Sequence, residues 1–261
     1  MIKTNDILLT GSEGYIGSHL KTILNIDECI DLKLQSDIKN KNLILNHNTI
    51  IHLAAFVQVG ESIRESKKYY DNNINGTINL LNKFKGDHFI FASTGITSKE
   101  LNSPYAISKK VCEDIIQEHC TKHNINYTIF RFYNVIGGNP TNSDGLFFAL
   151  KNAVKTNVFN LYGTNYNTPD KTAIKDYVHV EEICESIKSC INNPSNSIES
   201  LGHGKGYSVK QIIEIFKKVN KVNFQVICCD RRPGDLEYNV LDCVSNKYMI
   251  SKYTIEEMLK L

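Results

Sequence analysis

No apolar run in the 261-residue chain reaches membrane-spanning length. Its opening, "MIKTNDILLTG", leads straight into a short apolar strand and has no signal-peptide layout. Charge of one sign is lacking too. The 30 Lys and Arg against 28 Asp and Glu leave a net +2, so neither nucleic acid nor an anionic membrane is an expected partner. Eight cysteines are scattered with no C-x-x-C, in a chain too long to need disulfide staples. They suit free thiols in a reducing cytoplasm, the expected location. His119, Cys120 and His123 lie close together, but no second cluster has metal-site spacing, so no metal is expected. Repeats, long linkers and low-complexity tracts are missing as well. What remains is an ordinary globular composition, 41% hydrophobic and 22% charged, long enough for one large domain or a domain with a smaller cap.

Short apolar runs alternate with helical patterns through the first half. "DILLT", "ECIDL", "TIIHLAA", "HFIFAS" and "YTIFRFYNVIG" are expected as buried strands. Between them, "SIRESKKYYDNNINGTINLLNKF" and "KKVCEDIIQEHCTKH" space their apolar residues as helices do. The alternation predicts a Rossmann-like, doubly wound parallel sheet, an α/β fold. Beyond Leu146 the pattern loosens. Helices at "FFALKNAVKT", "VEEICESIKSCINN", "SVKQIIEIFKKV" and "TIEEML" are interleaved with strands at "VFNLYG" and "FQVICC". This predicts a dinucleotide-binding domain over 1–145, with part of 158–200 returning to it, and over 146–261 mainly a substrate-binding α/β cap.

"LLTGSEGYIGSHL" sets Gly11, Gly14 and Gly17 between a strand and a helix. Glycines allow a tight turn and close backbone approach, and the helix N-terminus offers N–H groups to a pyrophosphate. Asp31 ends the next strand, 31 − 11 = 20 positions on, where a ribose-binding acid belongs. Its carboxylate would repel a 2′-phosphate and so favours NAD over NADP, while Lys33 close by works the other way. Only five residues separate Asp31 from Asp37, whereas a parallel crossover needs about a dozen or more. The second crossover is therefore expected to be truncated, with "SDIKN" reaching the adenine edge as a loop.

In "SPYAISKK", Ser103 suits a helix cap and Pro104 the first turn, which puts Tyr105 and Lys109 on one face. Tyrosine ionises near pH ~10 and is a poor base until a cation stabilises its phenolate. Lys109 can supply that charge. Thr94 ends the preceding strand "HFIFAST", where such sheets hold reactive ligands, and its hydroxyl could share a proton with Tyr105.

The glycine triplet, Thr94, Tyr105 and Lys109 resemble the extended short-chain dehydrogenase/reductase family. "AAFVQVGES", "YYDNNINGT", "RFYNVIGG", "GTNYNTPDKTAIKDYVHV" and "RRPGDL" resemble its UDP-glucose 4-epimerase (UDP-galactose 4-epimerase) branch almost end to end. The dehydratase branches follow the Ser/Thr with an Asp-Glu pair. Here Gly95 and Ile96 stand there instead.

The resemblance implies NAD contacts from Tyr15, Ile16, Asp31, Asp37, Ile38, Leu53, Ala54, Ala55, Val57, Asn72 and Tyr133. It implies UDP-sugar contacts from Asn134, Leu146, Asn160, Leu161, Tyr162, Lys175, Arg232 and Asp235, with Asn239 gating a 2-acetamido group. The implied activity is epimerisation at C4 of a nucleoside-diphosphate sugar through a transient 4-keto intermediate, in a homodimer packed through helices at 62–85 and 105–122. Four departures from the branch stand out. Val57 replaces a lysine near the cofactor and Lys175 an arginine on the diphosphate. The loop "NPTNSDGL" (Asn139 to Leu146) and the stretch from Thr94 to Ser103 are both shortened. The shortened loops and Val57 keep open an NAD(P)H-dependent 4-ketoreductase of a deoxysugar nucleotide. A non-catalytic dinucleotide sensor is a third reading, disfavoured because Tyr105 and Lys109 are both present.

Overall fold

A computed structural model describes residues 6–99, 101–141, 145–243, 246–249 and 251–261. Glu100 and Asn142 to Asp144, within the two shortened segments, lie outside the described residues. The chain opens with β1 (Ile7–Thr10), α1 (Tyr15–Leu24) and β2 (Cys29–Ile30), then β3 (Thr49–His52). Between β2 and β3 there is only a 3₁₀ turn at Leu32–Leu34, so the expected truncated crossover is present. α2 (Val59–Arg64), α3 (Ser66–Tyr69) and α4 (Gly76–Lys83) precede β4 (His88–Thr94), α5 (Pro104–His123) and β5 (Asn126–Phe132).

Five of these strands are joined by one from much later in the chain. With β6 (Asn134–Ile136), α6 (Leu146–Thr156), β7 (Val158–Tyr162), β8 (Ile174–His179) and α7 (Val180–Asn192) between, β9 (Ser197–Leu201) returns to pair with β5. The parallel sheet runs β2-β1-β3-β4-β5-β9. Its strands are apolar on both faces because helices cover both. Ile7, Leu9, Ile51, Ile90, Phe130 and Phe132 pack with Leu20, Ile183 and Ile187 of α1 and α7. The alternate residues Leu8, Ile50, Phe89, Phe91 and Ile129 pack with Leu80, Leu81, Cys112 and Ile116 of α4 and α5. Chain order reverses between β1 and β3, the place where such sheets leave a crevice at their C-terminal ends.

Two expected elements are divided. "YTIFRFYNVIG" is not one strand. β5 ends at Phe132, and β6 leaves the main sheet to pair with β8, as in Val135↔Val178. The helix expected over 62–84 is interrupted by a π-helical turn at Tyr70–Asn75, where the Asn73 carbonyl accepts from Thr77 Oγ1 at 2.6 Å. Inserted turns of this kind are common beside functional sites.

The remaining elements are β10 (Gly206–Ser208), α8 (Val209–Asn220), β11 (Gln225–Cys229), β12 (Tyr238–Asn239) and α9 (Ile255–Met258). They share a core of Phe147, Leu150, Phe159, Leu161, Ile212 and Phe216 with α6 and β7. β7 pairs with β11, and β8 lies between β10 and β12. The sequence pattern missed β8, β9, β10 and β12, whose short mixed-polarity runs give little periodic signal.

Candidate active site

A cleft of about 850 Å³ runs across the C-terminal ends of the sheet strands into the second half of the chain. At one end lies the glycine turn. Gly11 has φ +76°, and a Cβ there would sit 2.6 Å from the Ala54 nitrogen. A Cβ on Gly17 would sit 2.0 Å from the Gly11 carbonyl oxygen. Gly14 caps α1 with no side-chain bond, leaving the first-turn N–H groups unclaimed by a side chain. This cradle fits a dinucleotide diphosphate. Asp31 lines the same end, its Oδ1 accepting from Lys33 N (2.9 Å) and its Oδ2 from Glu13 N (3.0 Å). Tyr15, Ile16, Asp37, Ile38, Leu53, Ala54, Ala55, Val57, Asn72 and Tyr133 line the cleft as well.

The middle of the cleft holds Thr94, Tyr105 and Lys109 together. Ser103 Oγ accepts from Ala106 N at 3.3 Å and Pro104 opens α5, so the helix begins where the two residues need it. Lys109 is 3% exposed. Its ammonium donates to the Ala92 carbonyl at 2.8 Å and sits 4.6 Å from the centre of the Phe91 ring. Burial brings the Lys109 pKa down to about 8, with Cys112 and Glu113 acting in the other direction. Burial pushes the Tyr105 phenol up to about 12, and a hydrogen bond with Thr94 pulls the other way. The Thr94 hydroxyl thus favours the Tyr105 phenolate here.

At the far end lie Asn134, Leu146, Asn160, Tyr162, Lys175, Arg232 and Asp235. Arg232 Nε bonds Asp235 Oδ2 at 3.1 Å, and the guanidinium stands 5.1 Å from the centre of the Tyr162 ring. Lys175 Nζ donates to the Leu236 carbonyl at 2.7 Å; burial lowers its pKa, Asp235 opposing and Arg232 assisting. Two expected contacts are placed elsewhere. On β7, Asn160 and Tyr162 face out while Leu161 turns into the second core. Asn239 pairs in register with Lys175 but is buried outside the cleft lining, its Oδ1 without a partner among the described residues.

Other groups escaped the sequence reading. Glu61, Lys68 and Tyr69 form a bonded cluster on the cleft wall beside Phe56. Glu113, fully buried on α5, takes both ends of the Arg131 fork, Nε at 3.0 Å and Nη2 at 2.6 Å. Its position four residues past Lys109 was visible in the sequence, but its partner was not.

Fold and site together define a dinucleotide-dependent enzyme of the extended short-chain dehydrogenase/reductase class. The family model described as the NAD dependent epimerase/dehydratase family matches residues 7–202, and the chain belongs to that family. The UDP-glucose 4-epimerase of Yersinia enterocolitica is 28% identical, over 88% of this chain and 87% of its own. A solved structure of UDP-glucose 4-epimerase from Bifidobacterium longum, in complex with NAD+ and UDP, matches with a TM-score of 0.86 at 24% identity. It covers 97% of this chain and 95% of that one, a likeness of fold. The UDP-Glc/GlcNAc 4-epimerase of Campylobacter jejuni matches with a TM-score of 0.76 at 25% identity, over 98% and 97% of the two chains.

Proposed function

We propose that the chain is an NAD-dependent 4-epimerase of a nucleoside-diphosphate sugar, UDP-glucose/UDP-galactose or the N-acetyl forms. The observation that carries this reading is the meeting of Thr94, Tyr105 and Lys109 in a cleft with the glycine turn at one end and Lys175 and Arg232 at the other. A bare glycine turn would fit many dinucleotide proteins. Lys175 and Arg232 at the opposite end, the latter beside the exposed Tyr162 ring, suit a diphosphate joined to a flat base.

Gly11, Gly14, Gly17 and Asp31 would hold the cofactor's diphosphate and ribose, and Lys109 its nicotinamide ribose. When bound, NAD supplies a place for the C4 hydride to go and return from. Tyr105 takes the proton of the 4-hydroxyl, with Thr94 sharing it, and gives it back to the C4 oxygen once the 4-keto sugar has turned its other face to the cofactor site. Lys175 and Arg232 keep the diphosphate tethered while the sugar turns. Arg232 carries the fork geometry that Lys175 lacks.

The test is to incubate the protein with UDP-glucose, UDP-galactose and their N-acetyl forms, adding no cofactor, and follow the sugar by NMR. Interconversion at C4 is expected. Protein that carries no NAD(H) and stays inactive when NAD is supplied would remove the reading. Val57, 43% exposed in the cofactor end, favours a second one: without a cation there the cofactor would exchange, as a 4-ketoreductase requires. Stoichiometric cofactor oxidation by a 4-keto sugar nucleotide would select it. A homodimer through α2–α4 and α5 is supported by the exposed Ile63 and Ile107, and a cytoplasmic setting by eight unpaired thiols.

A further inference from the structure

His19 does not line the cleft, yet it is bonded to a segment that does. It lies one turn beyond Tyr15 on α1, and the two rings meet edge to face with their centres 5.6 Å apart. Its Nε2 accepts from the backbone N–H of Asn139 at 3.2 Å. A peptide N–H can only donate, so Nε2 carries no proton there. The ring proton sits on Nδ1, which donates to the Tyr15 carbonyl at 2.9 Å. The Tyr15 hydroxyl in turn donates to the Gly137 carbonyl. Two side chains of the cofactor helix thus hold both ends of one turn, Gly137 to Asn139. Gly138 lies so near the imidazole that a Cβ there would sit 2.5 Å from His19 Nε2. From the other side, Lys151 of α6 donates to the Asn139 side-chain oxygen at 3.3 Å.

We propose that His19 is a positioning residue for the nucleotide of the substrate, a role that rests on the functional reading given above. The turn it holds joins two stretches of the cleft wall. Before the turn, Asn134, Val135 and Ile136 of β6 line the cleft. After it, Pro140 and Thr141 line the cleft again, ahead of Leu146 at the far end. β6 has left the main sheet to pair with β8, so the sheet that carries the reacting groups does not fix this wall. The His19 bond fixes it instead, to the helix whose N-terminus cradles the cofactor's diphosphate. One element then sets both ends of the cleft, and the substrate meets a wall already in place.

The experiment measures UDP binding by calorimetry on the protein as purified, and kcat and KM for UDP-sugar epimerisation. Wild type is compared with His19→Gln, His19→Asn and His19→Phe, with circular dichroism and melting to verify folding. Gln puts an acceptor where Nε2 stood, Asn reaches only the place of Nδ1, and Phe keeps a ring with neither. In His19→Asn and His19→Phe the UDP dissociation constant and KM should rise about three- to tenfold, the worth of one hydrogen bond, with kcat within about twofold. His19→Gln should stay within about twofold of wild type in all three. Equal weakening in all the variants would make the imidazole a packing element only and overturn the proposal. If His19→Phe does not fold, His19→Asn against His19→Gln still decides. Wild type that binds no UDP would overturn the UDP-sugar reading and this inference with it. Wild type that binds UDP and epimerises, with UDP affinity unmoved in His19→Asn and His19→Phe, overturns this inference alone.

Discussion

Tyr105 begins from an unfavourable position. Burial holds its phenol near 12, so without help it is a weak base at neutral pH, and Thr94 is the neighbour that pulls it down. Replacing Tyr105 with Phe should leave the NAD retained on purification unchanged and lower turnover by roughly a hundredfold to ten-thousandfold, the usual worth of a positioned acid–base group. Absorbance of the purified protein and the NMR assay measure the two separately. Lys109 sets the opposite limit. Its pKa lies near 8, so the ammonium is present below that value and lost above it. Turnover that needs the charge should fall on the alkaline side, which a pH–rate profile will show.

At the level of the element, α5 delivers the reactive pair and depends on its first turn. Ser103→Ala removes the cap bond to Ala106 and should cost about 1 kcal/mol in urea unfolding. Because Tyr105 is the second residue of that helix, turnover should fall by more than global stability suggests. The mouth of α1 has less tolerance. A methyl at Gly17 would lie 2.0 Å from the Gly11 oxygen and 2.8 Å from its carbonyl carbon, backbone that cannot step aside. Gly17→Ala is expected to abolish NAD retention, read from the absorbance of purified protein, even where circular dichroism stays native.

Across the whole molecule, two histidines with opposite shifts shape how stability varies with pH. His52 lies between Thr10 and Thr77, with ring nitrogens 2.7 and 3.0 Å from their hydroxyls, and burial lowers its pKa to about 3. A depressed folded pKa stabilises above the unfolded value of 6.5 and loses that contribution as pH falls toward 3. His203 goes the other way. Burial lowers its pKa, but the 2.9 Å bond to Glu182 and the charges of Glu182 and Asp176 outweigh it, so the net shift is upward. Its contribution is complete below 6.5 and disappears as pH rises through the raised value. Thermal melting should therefore peak between the two windows. His52→Asn should flatten the acid side and His203→Gln the alkaline side.

The sequence by itself determined what is local. The glycine turn, Asp31, the capped tyrosine–lysine turn and the truncated crossover depend on spacing within a few residues, and spacing is visible in one dimension. Tertiary structure alone decided what long contacts control. Arg131 reaches Glu113 across 18 positions, and the pleat of β7 turns Leu161 from the cleft that Asn160 and Tyr162 face. The chain leaves the main sheet after Phe132 because β6 finds its partner in β8, more than 35 residues further on. Pairing energy of that kind belongs to two distant segments together, and neither carries a mark of it alone.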